Sequence, residues 1–238
     1  MYKGKKVSLV FPAFNEEEYI AEAISDFKKL RIIDEIVVVD NNSTDNTAKI
    51  ALKRKVKVVS EKKQGYGFAI IRGLREAKGD YIFICEPEGT FIAKDALRFL
   101  KKIEEFDVVI GTRTNPKYIS KKANMGFLLR FGNIFLAKFI QILYRSGFPI
   151  SDCGCTYRLI KKEVIKKILP KLSVGGSYFL AELLALTILN NFKVLEIPVH
   201  YNARVGESKI TGSLNRAIWV GLSMLITVLK YRFRGVSR

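Results

Sequence analysis

Two hydrophobic periods alternate along the first half of the chain. Unbroken apolar runs of strand length occur at 6–11 (KVSLVF), 34–40 (DEIVVVD), 56–60 (VKVVS), 80–85 (DYIFIC) and 107–111 (DVVIG). The segments between them carry apolar residues at every third or fourth position, the helical spacing. Asn15 stands where a helix cap belongs, with Glu18 three residues on, and Ile20, Ala23, Ile24 and Phe27 follow in helical register. The turn NNSTDNT at 41–47 offers caps for a basic helix ending near Lys55, and further helices are predicted from Phe68 to Ala77 and from Lys94. Val/Ile runs without polar alternation belong to strands covered on both faces, so the pattern predicts one α/β domain with a mostly parallel sheet between helices. Ligands of such sheets bind at the carboxyl ends of the strands. That rule gathers Pro12 to Asn15, Asp40–Asn41, Glu86 to Glu88 and Gly111 to Arg113 into one crevice.

The second half reads as more helical and more basic. Apolar residues from Asn124 to Tyr144 are interrupted by Arg130 and Lys138, 175–191 reads as a buried helix, and 193–201 as a further strand. A terminal helix is predicted over 213–235, set apart from a body spanning 1–212. Its uncharged stretch, 217–229, falls short of the ~20 residues that cross a bilayer, so the helix either lies in a membrane interface or packs on the domain's own core.

Composition narrows the partners. Lys+Arg number 41 against 23 Asp+Glu, and the resulting charge of +18 suits a polyanion: nucleic acid, an anionic membrane surface or a phosphorylated substrate. Three cysteines make a poor disulfide framework, and the N-terminal segment lacks a signal-peptide pattern, so a reducing, cytoplasmic setting is expected. His200 is the only histidine, which excludes multi-histidine metal centres and leaves oxygen-ligated Mg²⁺ or Mn²⁺ as the expected metal.

The candidate chemistry sits at the strand ends. Glu86 and Glu88, held apart by Pro87, can coordinate one divalent ion that bridges a diphosphate, or can form a solvated turn. Asp40 can accept hydrogen bonds from a nucleoside or cap the helix that follows. Gly65 and Gly67 allow close backbone approach before a helix.

Seven segments, FPAFNEEEYI, IVVVDNNSTDNT, QGYGFAIIRG, EPEGTF, GTRT, DCGCTYR and EIPVHYNARVGESK, resemble glycosyltransferase family 2 in order and spacing. The resemblance runs from about Val7 to Lys230 and is strongest to the dolichyl- and polyprenyl-phosphate hexose synthases. It implies a Rossmann-like GT-A nucleotide-sugar transferase fold, an inverting reaction and a divalent metal. It places Pro12, Asn15, Glu16, Gly65 and Asp40 at the donor, and the family's metal-binding Asp-x-Asp on Glu86-Pro87-Glu88, with glutamates as a departure. It also implies that Arg113, Arg130 and Arg204, with Ser208 and Lys209, line the phosphate-bearing site, and that Asp152 and Arg158 lie near the acceptor. Guanidinium groups suit that work because each forks onto two phosphate oxygens.

The expected activity is hexosyl transfer from a nucleotide sugar, of GDP-mannose or UDP-glucose type, to a polyprenyl or dolichyl phosphate at the cytoplasmic membrane face. Transfer to a hydroxyl of a glycan or lipid-linked oligosaccharide is the alternative. A hydroxyl acceptor needs a carboxylate base, whereas a lipid phosphate is already ionised. Asp152 is therefore a base under one reading and an organiser of arginines under the other. Nucleic-acid binding rests on charge alone and is not expected.

Overall fold

A computed structural model describes residues 1–123, 127–204 and 214–234 of the 238, apart from the side chains at 127–129, 214–217 and 234. Seven strands form one sheet: β1 (Val7–Ala13), β2 (Glu35–Asp40), β3 (Lys57–Ser60), β4 (Tyr81–Ile84), β5 (Val108–Thr112), β6 (Arg158–Lys161) and β7 (Val194–Pro198). The spatial order is β3-β2-β1-β4-β6-β5-β7. β6 alone runs against its neighbours β4 and β5; the other pairings are parallel. The mostly parallel α/β architecture expected from the apolar runs is present.

Burial on both faces explains the unbroken apolar runs. Along β1, Val10 enters one core while Val7, Leu9 and Phe11 enter the other. The first core is covered by α3 (Tyr66–Glu76), α5 (Phe127–Leu143), α6 (Lys162–Ile168), α7 (Phe179–Leu189) and α8 (Leu214–Arg234). The second lies under α1 (Ile20–Lys29), α2 (Thr47–Lys53) and α4 (Ala96–Leu100), around Tyr157, whose ring meets Phe27, Phe83, Phe91 and Phe99.

Two expectations need correction. Helix α1 begins at Ile20 after Tyr19, so Asn15 does not cap it. Asn15 adopts a left-handed turn (φ +53°) and accepts a bond from the Thr44 N–H (2.8 Å), tying the β1 loop to the β2 loop. The segment 158–168 was assigned no element, yet it supplies both β6 and α6.

The terminal helix packs on the domain's own core and leaves other apolar side chains exposed. Met224 and Val228 of α8 are buried in the core, and Tyr144 Oη donates to Val228 O (2.7 Å). Trp219 (70% exposed), Ile226 and Phe233 remain in solvent. Glu182, fully buried on α7, anchors this arrangement. It accepts from Ser173 N (3.1 Å), Val174 N (2.9 Å) and Tyr231 Oη of α8 (2.5 Å). Replacing it by alanine removes the acceptor that these donors share, leaving Tyr231 Oη only Lys171 O (3.3 Å), so urea unfolding of Glu182→Ala is expected to show a loss on the order of 3 kcal/mol, with a smaller loss for Tyr231→Phe.

Candidate functional site

The crevice forms where β1, β2, β4 and β5 end. Asp40 closes β2, and its Oδ1 accepts from Ser43 N (3.3 Å). It does not cap α2, which begins at Thr47 with Asp45 Oδ1 accepting the Thr47 N–H (2.9 Å). Asn41, buried beside it, donates to Glu61 O and Lys63 O (2.8 Å each) and accepts from Gly65 N (2.8 Å). This amide folds the 61–65 loop against the end of β2.

The glycines of that loop approach the chain itself. Gly65 has φ +151°, and a Cβ there would lie 2.3 Å from Gly175 O, while Gly67 N donates to Gly175 O (2.8 Å). The close approach expected at Gly65 is thus made to the 174–175 backbone.

β4 delivers the two glutamates. Gly89 takes φ +79°, the left-handed turn that glycine permits, immediately after Glu88. Tyr201 then bridges Phe91, and Asn202 N donates to Thr90 O (2.8 Å), so the segment after β7 runs back beside the glutamates. His200 fastens this segment: its N–H donates to Asp95 Oδ2 (2.7 Å), and its ring Nδ1 lies 3.1 Å from Asp95 Oδ1. Two residues past Asn202, Arg204 spans two carboxylates, with Nη1 at 2.6 Å from Glu88 Oε2 and Nη2 at 2.6 Å from Glu16 Oε1. Glu16 was expected at the donor; its partnership with Arg204 was not.

Burial and crowding raise both glutamate carboxyls. Burial and the charge of Glu86 push Glu88 up to about 8 against the pull of Arg204. Glu86 is raised in the same direction by burial, opposed by Arg113, Arg204 and hydrogen bonds from Thr156 and Tyr66. Tyr66 Oη and Thr156 Oγ1 are themselves 2.6 Å apart.

Beyond the glutamates, Asp152 is fully buried and engaged on both oxygens. Oδ2 accepts Arg113 N (3.0 Å) and Nε (2.8 Å); Oδ1 accepts Arg113 Nη2 (2.9 Å) and Gly154 N (3.1 Å). Burial disfavours the Arg113 charge, but Asp152 more than compensates and keeps the guanidinium protonated. Arg113 also stacks over Tyr201, 5.5 Å from the ring centre. Glu196 of β7, missed in the sequence, accepts from Ser151 N (2.5 Å), Ser151 Oγ and Asp152 N (3.2 Å), fixing the turn that presents Asp152.

Arg158 corrects an expectation. It is 1% exposed and donates to the carbonyls of Cys155 (2.9 Å), Cys153 (2.6 Å) and Leu180 (3.2 Å). It braces the Cys153–Cys155 turn against α7 and has no arm left for an acceptor phosphate. Arg130 is half-buried on α5; Ser208 and Lys209 lie outside the described residues. Pro12 is buried within β1, paired with Val39.

Among the described residues no three His, Cys, Asp or Glu side chains form a metal cage. Two carboxylates that leave most coordination positions to water and substrate phosphates are nonetheless a donor set that Mg²⁺ and Mn²⁺ accept. Glu86 and Glu88 fit a metal that arrives with a diphosphate.

Helices α5 and α8 present an apolar set to solvent: Phe131, Phe135 and Ile142 from α5, with Trp219, Ile226 and Phe233 from α8. The exposed bases Lys138, Arg145, Lys230 and Arg232 accompany it. No helix among the described residues is long and apolar enough to cross a membrane.

Comparison with known proteins places this geometry in context. The family model for glycosyl transferase family 2 matches residues 8–169. A dolichyl-phosphate hexose transferase of Haloferax volcanii is 29% identical over 238 residues, covering 98% of each chain. An uncharacterized protein of Methanocaldococcus jannaschii is 31% identical over 218 residues, 87% of this chain and 88% of that one. Glucosyl-3-phosphoglycerate synthase of Mycobacterium tuberculosis, solved with Mn²⁺, UDP-glucose and phosphoglyceric acid, superimposes with a TM-score of 0.75 at 17% identity. It covers 99% of this chain and 81% of that one, and the shared architecture is the GT-A fold.

The raised carboxyl of Glu88 carries a sign for stability. Its folded value exceeds the ordinary 4.5, so the folded state binds more protons than the unfolded one between about 4.5 and about 8. The stability of the metal-free protein is expected to fall as pH rises through that window. Glu88→Gln should flatten the slope in melting temperatures measured from about pH 4 to about pH 8.5, values that bracket that window.

Proposed function

The chain belongs to glycosyl transferase family 2 and is a glycosyltransferase, and from that premise we propose that it transfers a hexose from a nucleotide sugar to a polyprenyl or dolichyl phosphate, with inversion, at the cytoplasmic face of a membrane. The observation that carries the choice of acceptor is the state of Asp152. Both its oxygens are occupied by Arg113 and backbone N–H groups, with no exposed surface. A carboxylate so held is a poor base for a hydroxyl acceptor, whereas a phosphate monoester brings its own negative oxygen and needs only to be held. Of the two sequence readings, Asp152 is the organiser: it locks the Arg113 guanidinium at the crevice wall, where a phosphate can meet it.

The remaining assignments follow the strand ends. Asp40 receives the nucleoside, with Pro12, Asn15, Glu16 and Gly65 shaping the donor side. Glu86 and Glu88 hold Mg²⁺ or Mn²⁺, which would neutralise the departing nucleoside diphosphate. Arg113, Arg204 and Arg130 meet the acceptor phosphate, joined by Ser208 and Lys209 from outside the described residues. The named activity of the Haloferax volcanii relative supports the lipid acceptor, and the Mn²⁺ and UDP-glucose bound to the mycobacterial enzyme support a metal-dependent nucleotide-sugar donor. Aromatic and aliphatic side chains exposed beside lysines and arginines support docking at an anionic surface.

The acceptor is tested by offering labelled nucleotide hexoses with Mn²⁺ to a polyprenyl phosphate and to the free polyprenol of the same length. Label should pass only to the phosphate; transfer to the alcohol at equal rate defeats the reading. Glu88→Gln is expected to lower metal-dependent turnover by roughly 100-fold or more. Trp219 is the only tryptophan, so its emission should shift to the blue on anionic vesicles and not on neutral ones.

A further inference from the structure

The Arg204 guanidinium lies between Glu16 and Glu88, 2.6 Å from each, and both carboxylates are largely shielded from water. Arg204 Nε is buried without a hydrogen-bond partner. Two features set this arrangement apart from a fully satisfied structural arginine. One arm neutralises a carboxylate assigned above to metal, and the third N–H direction is left unsatisfied, a costly state for a buried charged donor. A structural arginine of this same protein, Arg158, shows the contrast, with Nε and both Nη groups donating.

We infer that Arg204 is the resident cation of the Glu86–Glu88 site in the ligand-free enzyme and is exchanged for the metal when the donor binds. The inference rests on the metal reading above. Without ligand, Glu16, Glu86 and Glu88 crowd one crevice, and the guanidinium spans two of them. A divalent ion entering on Glu86 and Glu88 supplies positive charge to that side, so the Glu88–Arg204 contact loses its purpose. The freed Nη1 arm then has charged N–H donors to offer a phosphate. Arg204 thus couples the two halves of the site: its ion pairs hold the carboxylates apart from metal alone, and its release offers the Nη1 donors to an anion. Free metal therefore competes with Arg204, whereas metal entering with a diphosphate does not have to, because the displaced guanidinium gains an anionic partner.

The competition is measurable without turnover, from the electron paramagnetic resonance signal of free Mn²⁺ titrated with protein. Arg204→Gln is expected to bind Mn²⁺ alone roughly tenfold or more tightly than the unmodified protein, the scale of one close charge pair. Adding Glu88→Gln to that variant should abolish the gain. Arg204→Lys separates contact from distant field. It keeps the charge but cannot span two carboxylates, so exchange predicts an intermediate gain and a through-space effect predicts none. Melting curves establish that each variant is folded, and the lysine variant, retaining the cation, carries the test if the glutamine variant is not. Unchanged Mn²⁺ affinity in both arginine variants, with binding still lost in Glu88→Gln, overturns the exchange and leaves the metal reading standing. Mn²⁺ binding that ignores Glu88→Gln removes the metal reading, and the exchange with it.

Discussion

Like charge confined to one crevice is the constraint on which this site depends. Glu16, Glu86 and Glu88 come from two strand ends, and burial makes each charge costly unless a cation faces it. The chain meets that demand from far away in sequence. Arg204 arrives from the segment after β7, steered by the Asp95–His200 contact and the Phe91–Tyr201 bridge. Arg113 is held by Asp152, which is held in turn by the turn that Glu196 fixes. A sheet that ends in acids is thus met by arginines braced through other parts of the fold, and acid and base interleave in one site.

That arrangement suits the proposed transfer. A nucleotide sugar leaves as a diphosphate and needs positive charge near its oxygens; a lipid phosphate attacks as an anion and must be brought close despite the repulsion. Carboxylates that recruit a divalent ion serve the first need, and guanidinium groups serve the second.

Much of the fold was legible because the first half obeys simple periodicities. β1, β2, β4 and β5 read as unbroken apolar runs because each is buried on both faces. β6 escaped notice because it is four residues long and begins with Arg158, a charged residue that no strand pattern predicts inside a sheet. The strand ends were also legible: Asp40 closes β2, Glu86 and Glu88 follow β4, and the Arg113 charge bears on Glu86. Partnerships across the crevice were not. Glu16 and Arg204 are 188 positions apart, and no local spacing announces their ion pair. Asn15 misled for the opposite reason: a capping pattern was present, but the competing bond to the Thr44 N–H from a neighbouring loop took the side chain. Glu182 and Glu196 were invisible because a buried carboxylate that ties loops together looks, in sequence, like any surface glutamate.

Phosphorus-31 NMR of the reaction mixture tests the central claim most directly, because it watches the acceptor phosphate itself. With a nucleotide hexose, Mn²⁺ removed by chelation before recording, and a polyprenyl phosphate, the monoester resonance should give way to a sugar phosphodiester as nucleoside diphosphate accumulates. Release of nucleoside diphosphate with the monoester resonance undiminished, and the sugar recovered on a hydroxyl, would contradict it.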